Sequence, residues 1–247
     1  MKHGRLIATA ATAGLVGSSL LLSVPAANAE PGKDKPGRAD KTVELRATLG
    51  ELNFSGASGT ATATVKNQKI ENISLSATGL APDAPHAIHI HYGDDARNEC
   101  PIMAAPPAGD AQSTRADGTL RLSTADGLPA YGPIVVSLTT SGDTTPASGL
   151  ALDRFPTSTG GTLTYDRSNI EFTDVAGTGY EGTGTAKQIA DSIRDGEGVL
   201  VVHGNDYNDN GIYDFTSAGA SELTPDGSLP AEGTDPTLCG VLEQHSH

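Results

Sequence analysis

The chain has 247 residues, with 16 Lys+Arg against 30 Asp+Glu and a formal charge of −14. That balance excludes a basic nucleic-acid binder, because phosphate neutralisation needs clustered Lys and Arg. Two cysteines are too few for a disulfide-dense miniprotein, while 36% apolar and 19% charged residues suit one folded core rather than a disordered polyelectrolyte.

Lys2 and Arg5 give the start of the chain positive charge, and Leu6 to Val24 is a run of small and apolar residues. Ala27-Asn28-Ala29 then supplies an A-x-A cleavage site before Glu30. The pattern predicts a secretory signal peptide over 1–29 and a secreted, extracellular protein. A transmembrane anchor is the weaker reading, since the run is short, broken by Gly and Ser, and followed by a processing site. No later segment is long and apolar enough to span a membrane. The mature chain has 14 Lys+Arg against 30 Asp+Glu, a formal charge of −16, six histidines and one methionine, Met103. In an oxidising compartment Cys100 and Cys239 pair by default. Closing a loop of that size restricts the unfolded chain by roughly 5 kcal/mol in the loop-entropy model.

Residues 30–41 (EPGKDKPGRADK) are charged and Pro/Gly-rich, the texture of a linker. From Thr42 the texture is β-like. Thr42 to Thr48 and Gly59 to Val65 alternate, and Ile73 to Thr78, His86 to His91, Ile134 to Thr140, Gly161 to Tyr165 and Val199 to His203 follow. Each run is short, β-branched and bounded by Gly, Pro, Asp or Asn. Ala186 to Arg194 (AKQIADSIR) is the one helical piece, ended by Asp195-Gly196. The stretch 101–167 is richest in Pro, Gly, Ser and Thr and is expected to hold long loops around a few strands. Together these predict a single all-β domain over 42–244, an antiparallel sandwich or barrel, with a three-residue tail at 245–247.

The histidines are clustered. His86, His89 and His91 lie in PHAIHIHYG, His203 lies in VLVVHGND, and His245 and His247 end the chain. Alternate residues of a strand share a face, so His89 and His91 project together while Ile88 and Ile90 project oppositely. Two imidazoles one pleat apart suit two ligands of one metal ion. His203, from another β-rich run, supplies a third nitrogen, and His86 is out of phase with the pair. The plainer reading of H-x-H is the polar face of an ordinary strand. The His-poor remainder of the chain, the Val run before His203 and the nearby Cys100 favour a metal.

These residues resemble a known family. HAIHIHYGDDARNEC is similar to the copper-ligand strand and disulfide loop of secreted copper/zinc superoxide dismutases, VVHGND to that family's V-V-H strand, and LCGVL to its C-terminal Cys block. The HIH and VH elements, with IRDGEGVLVVH, also resemble the CHRD domain family. The resemblance covers three short blocks across residues 86–242. It implies an eight-stranded Greek-key β-sandwich, immunoglobulin-like or superoxide-dismutase-like, with long loops and one short helix. It implies copper ligation by His89, His91 and His203, His86 as a structural histidine behind them, and a Cys100–Cys239 disulfide. The departures count as well. No His occurs between Tyr92 and Val202, where the dismutases carry a bridging imidazole and zinc ligands, so zinc is not expected. Pro236 stands where the family has its substrate-guiding arginine. The expectation is a copper-binding protein with at most weak superoxide dismutase activity. The alternative is a non-catalytic CHRD-like extracellular module. Met103 is a candidate fourth ligand, although a core-filling methionine is the commoner case.

Asp206, Asn208, Asn210 and Gly211 form a D-x-N-x-N-G run, with Asp214 at the ninth position. Oxygen ligands at alternate positions followed by Gly match the opening of an EF-hand-type calcium loop. Position twelve is Ser217 rather than Glu, and no helical pattern flanks the run, so an Asx-rich turn between strands is the competing reading. No G-x-S-x-G elbow, P-loop or H-E-x-x-H occurs, so hydrolase chemistry has no supporting residues.

Overall fold

A computed structural model describes residues 42–103, 113–176 and 184–245. The predicted signal peptide and linker, and His247, lie outside the described residues. The Thr42–Thr48 alternation becomes β1 (Val43–Glu51), with Val43, Leu45, Ala47 and Leu49 inward and Glu44, Arg46 and Thr48 outward. β2 (Ser58–Lys66) and β3 (Lys69–Thr78) continue as hairpin neighbours. A register shift at Thr64/Val65 lets Ile70 and Ile73, three residues apart, both face the core. Next come β4 (Ile88–His91), the two-residue strands β5 (Ser113–Thr114) and β6 (Leu120–Arg121), α1 (Thr124–Tyr131) and β7 (Ile134–Ser137). β8 (Leu163–Glu171), α2 (Ala186–Asp195), β9 (Gly198–His203), α3 (Ala231–Thr234) and β10 (Pro236–Gln244) complete the order.

Eight strands form one curled antiparallel sheet in the order β7-β4-β9-β10-β1-β2-β3-β8, with β5-β6 as a separate ribbon. The chain crosses from β3 to β4 in the other half, returns from β7 to β8, and crosses again to β9, connections of the Greek-key kind. Leu45, Val65 and Ile70 of one half share a cluster with Ile88, Ile90 and Leu200 of the other. The fold is therefore all-β and sandwich-like, as the strand spacing predicts. α2 lies where the AKQIADSIR pattern places it. A Thr185–Gln188 capping box starts it, Gly196 in the left-handed region ends it, and Ile189, Ala190 and Ile193 join the same core.

A second apolar cluster of Leu52, Leu122, Tyr131, Val199, Val201 and Cys239 covers the other face of β9 and β10. β9 is thus buried on both faces, which is why GVLVVH is an unbroken apolar run. Loop segments build this layer, and α1 and α3 add two short helices to the one expected. α1 escapes sequence detection because Gly127 and Pro129 interrupt it. β10 escapes because Pro236 and Gly240 dilute its β character. The Cys100–Cys239 disulfide forms as expected and ties the loop after β4 to β10. No helix among the described residues is long and apolar enough to cross a membrane.

Candidate metal centre

β4 lies between β7 and β9, with His89 opposite Ser137 and Val201, and Ile90 opposite Val136 and Leu200. Ile88 and Ile90 enter the sandwich core, and His89 and His91 take the other face, as alternation requires. His203 stands two residues beyond Val201 on the adjacent strand and so shares that face. The regular strand begins at Ile88 rather than His86, so His86 lies on the approach to it.

The face carrying these imidazoles is not an exposed polar one. His89 is 3% exposed, His91 1% and His203 3%. The ring centroids are 5.6 Å apart for His89 and His91, 4.9 Å for His89 and His203, and 6.0 Å for His91 and His203. One nitrogen from each ring lies within 4.8 Å of the others, the one such grouping of His, Cys, Asp or Glu atoms among the described residues. Two nitrogens on one ion, each about 2.0–2.1 Å from it, sit up to about 4 Å apart, so a small side-chain adjustment completes the convergence.

The hydrogen bonds decide which nitrogens are available. His91 Nδ1 donates to Gly132 O at 2.7 Å, His203 Nδ1 to Thr234 O at 2.6 Å, and His89 Nε2 to Gly149 O at 3.1 Å. A carbonyl only accepts, so each facing nitrogen carries the hydrogen and the opposite one carries the lone pair. Those opposite atoms are His89 Nδ1, His91 Nε2 and His203 Nε2, and all three are buried without a hydrogen-bond partner. A backbone carbonyl orienting a histidine while its other nitrogen stays unpaired is the arrangement of a metal ligand. Burial also keeps the rings neutral. It depresses His91 to about 3 and His203 to about 4, and lowers His89 well below the usual imidazole value, with neighbouring rings adding to the effect on His89 and His91. Three neutral lone pairs therefore converge in a dry setting that suits copper, zinc, iron or nickel.

The three carbonyls come from segments with no side-chain signal in the sequence. Gly132 is the C-cap of α1, Gly149 follows a short 3-10 turn at Pro146–Ser148, and Thr234 ends α3. His86 is fully buried behind the site. Its Nδ1 lies 2.9 Å from His203 O, its Nε2 3.2 Å from Ala81 O, and the Tyr213 hydroxyl is 3.3 Å from Nδ1. It thus holds the backbone of His203. Met103 packs against the second apolar cluster, the core-filling role.

A pocket of about 320 Å³ opens on His89 and His203 and is walled mainly by apolar side chains, among them Ala87, Ile134, Leu150, Leu152 and Leu223. Among the described residues no Lys or Arg lines it. Arg121 is spent internally, on the fully buried Asp235 at 3.1 Å and on Glu222 at 3.6 Å. Burial pushes Asp235 up to about 7 against the pull of Arg121 and the Tyr207 hydroxyl.

Beyond His203, the Asp206–Asp214 run is a loop closed on itself. Asp206 accepts from the amides of Asn210 and Gly211, Asn208 from that of Asn210, and Asn210 from that of Ile212. Asn210 Nδ2 donates to Asp214. These contacts satisfy the Asx-turn reading, and they also set the side-chain oxygens around one loop. No protein-family model matches the chain, and none of the curated proteins does.

Proposed function

We propose that this is a secreted protein that binds one copper ion through His89 Nδ1, His91 Nε2 and His203 Nε2, with at most weak superoxide dismutase activity. The observation that carries the reading is the set of three buried, unpartnered imidazole nitrogens, each with its opposite nitrogen tied to a carbonyl. An all-imidazole set ranks copper above the other divalent first-row metals, and the dismutase-like blocks around the same three residues favour it too. The eight-stranded all-β sheet is compatible with the sandwich that the resemblance implies. The signal-like segment at 1–29 and the disulfide support secretion.

Bound copper would supply one-electron redox chemistry. The chain's own residues orient the rings, hold them neutral and shield them from water. They do little for an anionic substrate. No described residue lining the pocket is a Lys or Arg, and a mature charge of −16 repels superoxide. Copper quantification on untagged protein, alongside His89→Ala, tests the proposal. One copper per chain, lost in the variant, is expected; copper that is absent or indifferent to the substitution overturns it.

A non-catalytic CHRD-like module is the second reading, favoured by the apolar pocket and the missing arginine. A melting temperature that rises with calcium and not with copper would favour this reading over copper binding.

A further inference from the structure

We propose that the Asp206–Asp214 loop is a calcium site whose missing terminal carboxylate is supplied by Glu232, from α3. In an EF-hand-type loop, position twelve contributes a bidentate Glu. Here Ser217 occupies that position, and the sequence alone leaves the loop one strong ligand short. The fold brings the carboxylate from elsewhere. Glu232 is fully buried, its Oε2 accepts from the amide of Asp214 at 2.8 Å, and its Oε1 has no hydrogen-bond partner. Burial raises the Glu232 carboxyl above the usual carboxylate range, and the Asp214 and Asp206 charges add to this while the Asp214 amide and the Ser217 hydroxyl oppose it.

A fully buried carboxylate with an unused oxygen, held against the loop by the Asp214 amide, needs a positive partner. Because the Asp206, Asp214 and Glu232 carboxylates do not lie within 4.8 Å of one another, binding must draw them together. None of the ion pairs among the described residues involves Asp206, Asp214 or Glu232. The remaining requirements of a hard cation are oxygens and a sharp bend. Asn208 and Asn210 offer side-chain carbonyls, the Ile212 carbonyl occupies the position where an EF-hand uses backbone, and Gly211 turns the loop at φ +84°. All of these donors are oxygen, so calcium fits and a soft or imidazole-seeking metal does not.

Glu232 also places this site against the histidines. Its own carbonyl accepts from Asn205 N at 2.7 Å, and two residues on, Thr234 O holds His203. Calcium taking six to eight oxygens at about 2.3–2.6 Å would draw Glu232 and the loop together and fasten α3. The inference stands on the loop and Glu232 alone, so it survives if the copper proposal fails.

The test is calorimetric titration of the purified, copper-stripped protein with CaCl₂, repeated for Glu232→Gln and for Asp209→Asn, an exposed residue at a non-ligand position. Terbium(III) provides a second probe, since Tyr207 and Tyr213 sit in the loop and the chain has no Trp. Expected are one saturable calcium site with Kd of about 1 mM or tighter, as for extracellular modules, and terbium emission that calcium quenches by competition. Glu232→Gln should weaken binding at least tenfold and Asp209→Asn should leave it unchanged. If Glu232→Gln does not fold, Asp206→Asn takes its place with the same expected loss. No saturation below several millimolar calcium, or unchanged affinity in the Glu232 or Asp206 variant, overturns the proposal.

Discussion

His203 Nδ1 donates to the carbonyl of Thr234 at 2.6 Å, and that bond turns the other nitrogen of the ring toward His89 and His91. The orientation is set by backbone from α3, thirty-one residues further along the chain. Replacing His203 by Gln should remove copper while the fold persists, because a carboxamide can still donate to Thr234 O. The expected metal content is below a tenth of wild type by elemental analysis, with an unchanged far-ultraviolet circular dichroism spectrum.

Acid should act on the metal late. His203 is held at about 4 and His91 at about 3, mainly by burial, so both lone pairs stay free well below the usual imidazole range. Copper affinity is expected to be flat from pH 7.5 to about 5 and to fall steeply below about 4, measured by competition with a pH-calibrated chelator. A decline starting near 6.5 would mean solvent-exposed rings.

The same shifts bear on the metal-free fold. A histidine with a lowered folded pKa binds fewer protons than its unfolded counterpart between about 6.5 and the folded value. Stability is therefore lost as pH falls through that window, by up to about 1.4 kcal/mol per pH unit for each ring. Asp235, raised to about 7, works the other way and costs stability as pH rises from about 4 to 7. Urea unfolding should show the histidine slope steepen in Asp235→Asn, where the opposing group is gone.

Much of this architecture is legible in the sequence. The alternation in β1 and β2, the capped α2 and the H-x-H face are local patterns, and each is realised where the pattern puts it. The disulfide is expected from two cysteines in a chain with a signal-like start, and the third nitrogen from a histidine that ends another β-rich run; the family-like blocks imply the same residues. What stays hidden is carried by main chain or by distance. Gly132, Gly149 and Thr234 contribute carbonyls, which every residue possesses. Glu232 lies fifteen residues beyond the position whose ligand it replaces. The covering layer over β9 comes from α1 and irregular segments, whose Gly and Pro erase periodicity.

Gly204 joins His203 to the acidic loop at φ +102°, and a Cβ there would lie 3.0 Å from His86 Nδ1 and against the Tyr213 hydroxyl. Gly204→Ala should therefore destabilise the fold by about 1–3 kcal/mol, through both the left-handed backbone and the clash. Gly118→Ala, also at positive φ but with open space around it, isolates the backbone contribution. The difference between the two in chemical denaturation measures the packing around His86.

Charge at the pocket mouth offers a test of substrate preference. Leu150 is 41% exposed and lines the opening toward His89. In copper-loaded protein, Leu150→Lys should raise any superoxide turnover several-fold at low salt, with the gain disappearing as ionic strength rises. Equal rates in wild type and variant would mean that the pocket is not the route to the metal.

β4 contributes four residues that serve two masters by turns, Ile88 and Ile90 to the sandwich interior, His89 and His91 to the opposite layer. A slip of one residue against β7 or β9 would exchange them, driving imidazoles into hydrocarbon and isoleucines among the ligands. The loops above this strand hold the imidazoles through main-chain carbonyls, but it is the register of the strand that decides which side chains they meet. The chemistry of the site and the registration of the sheet are inherited together.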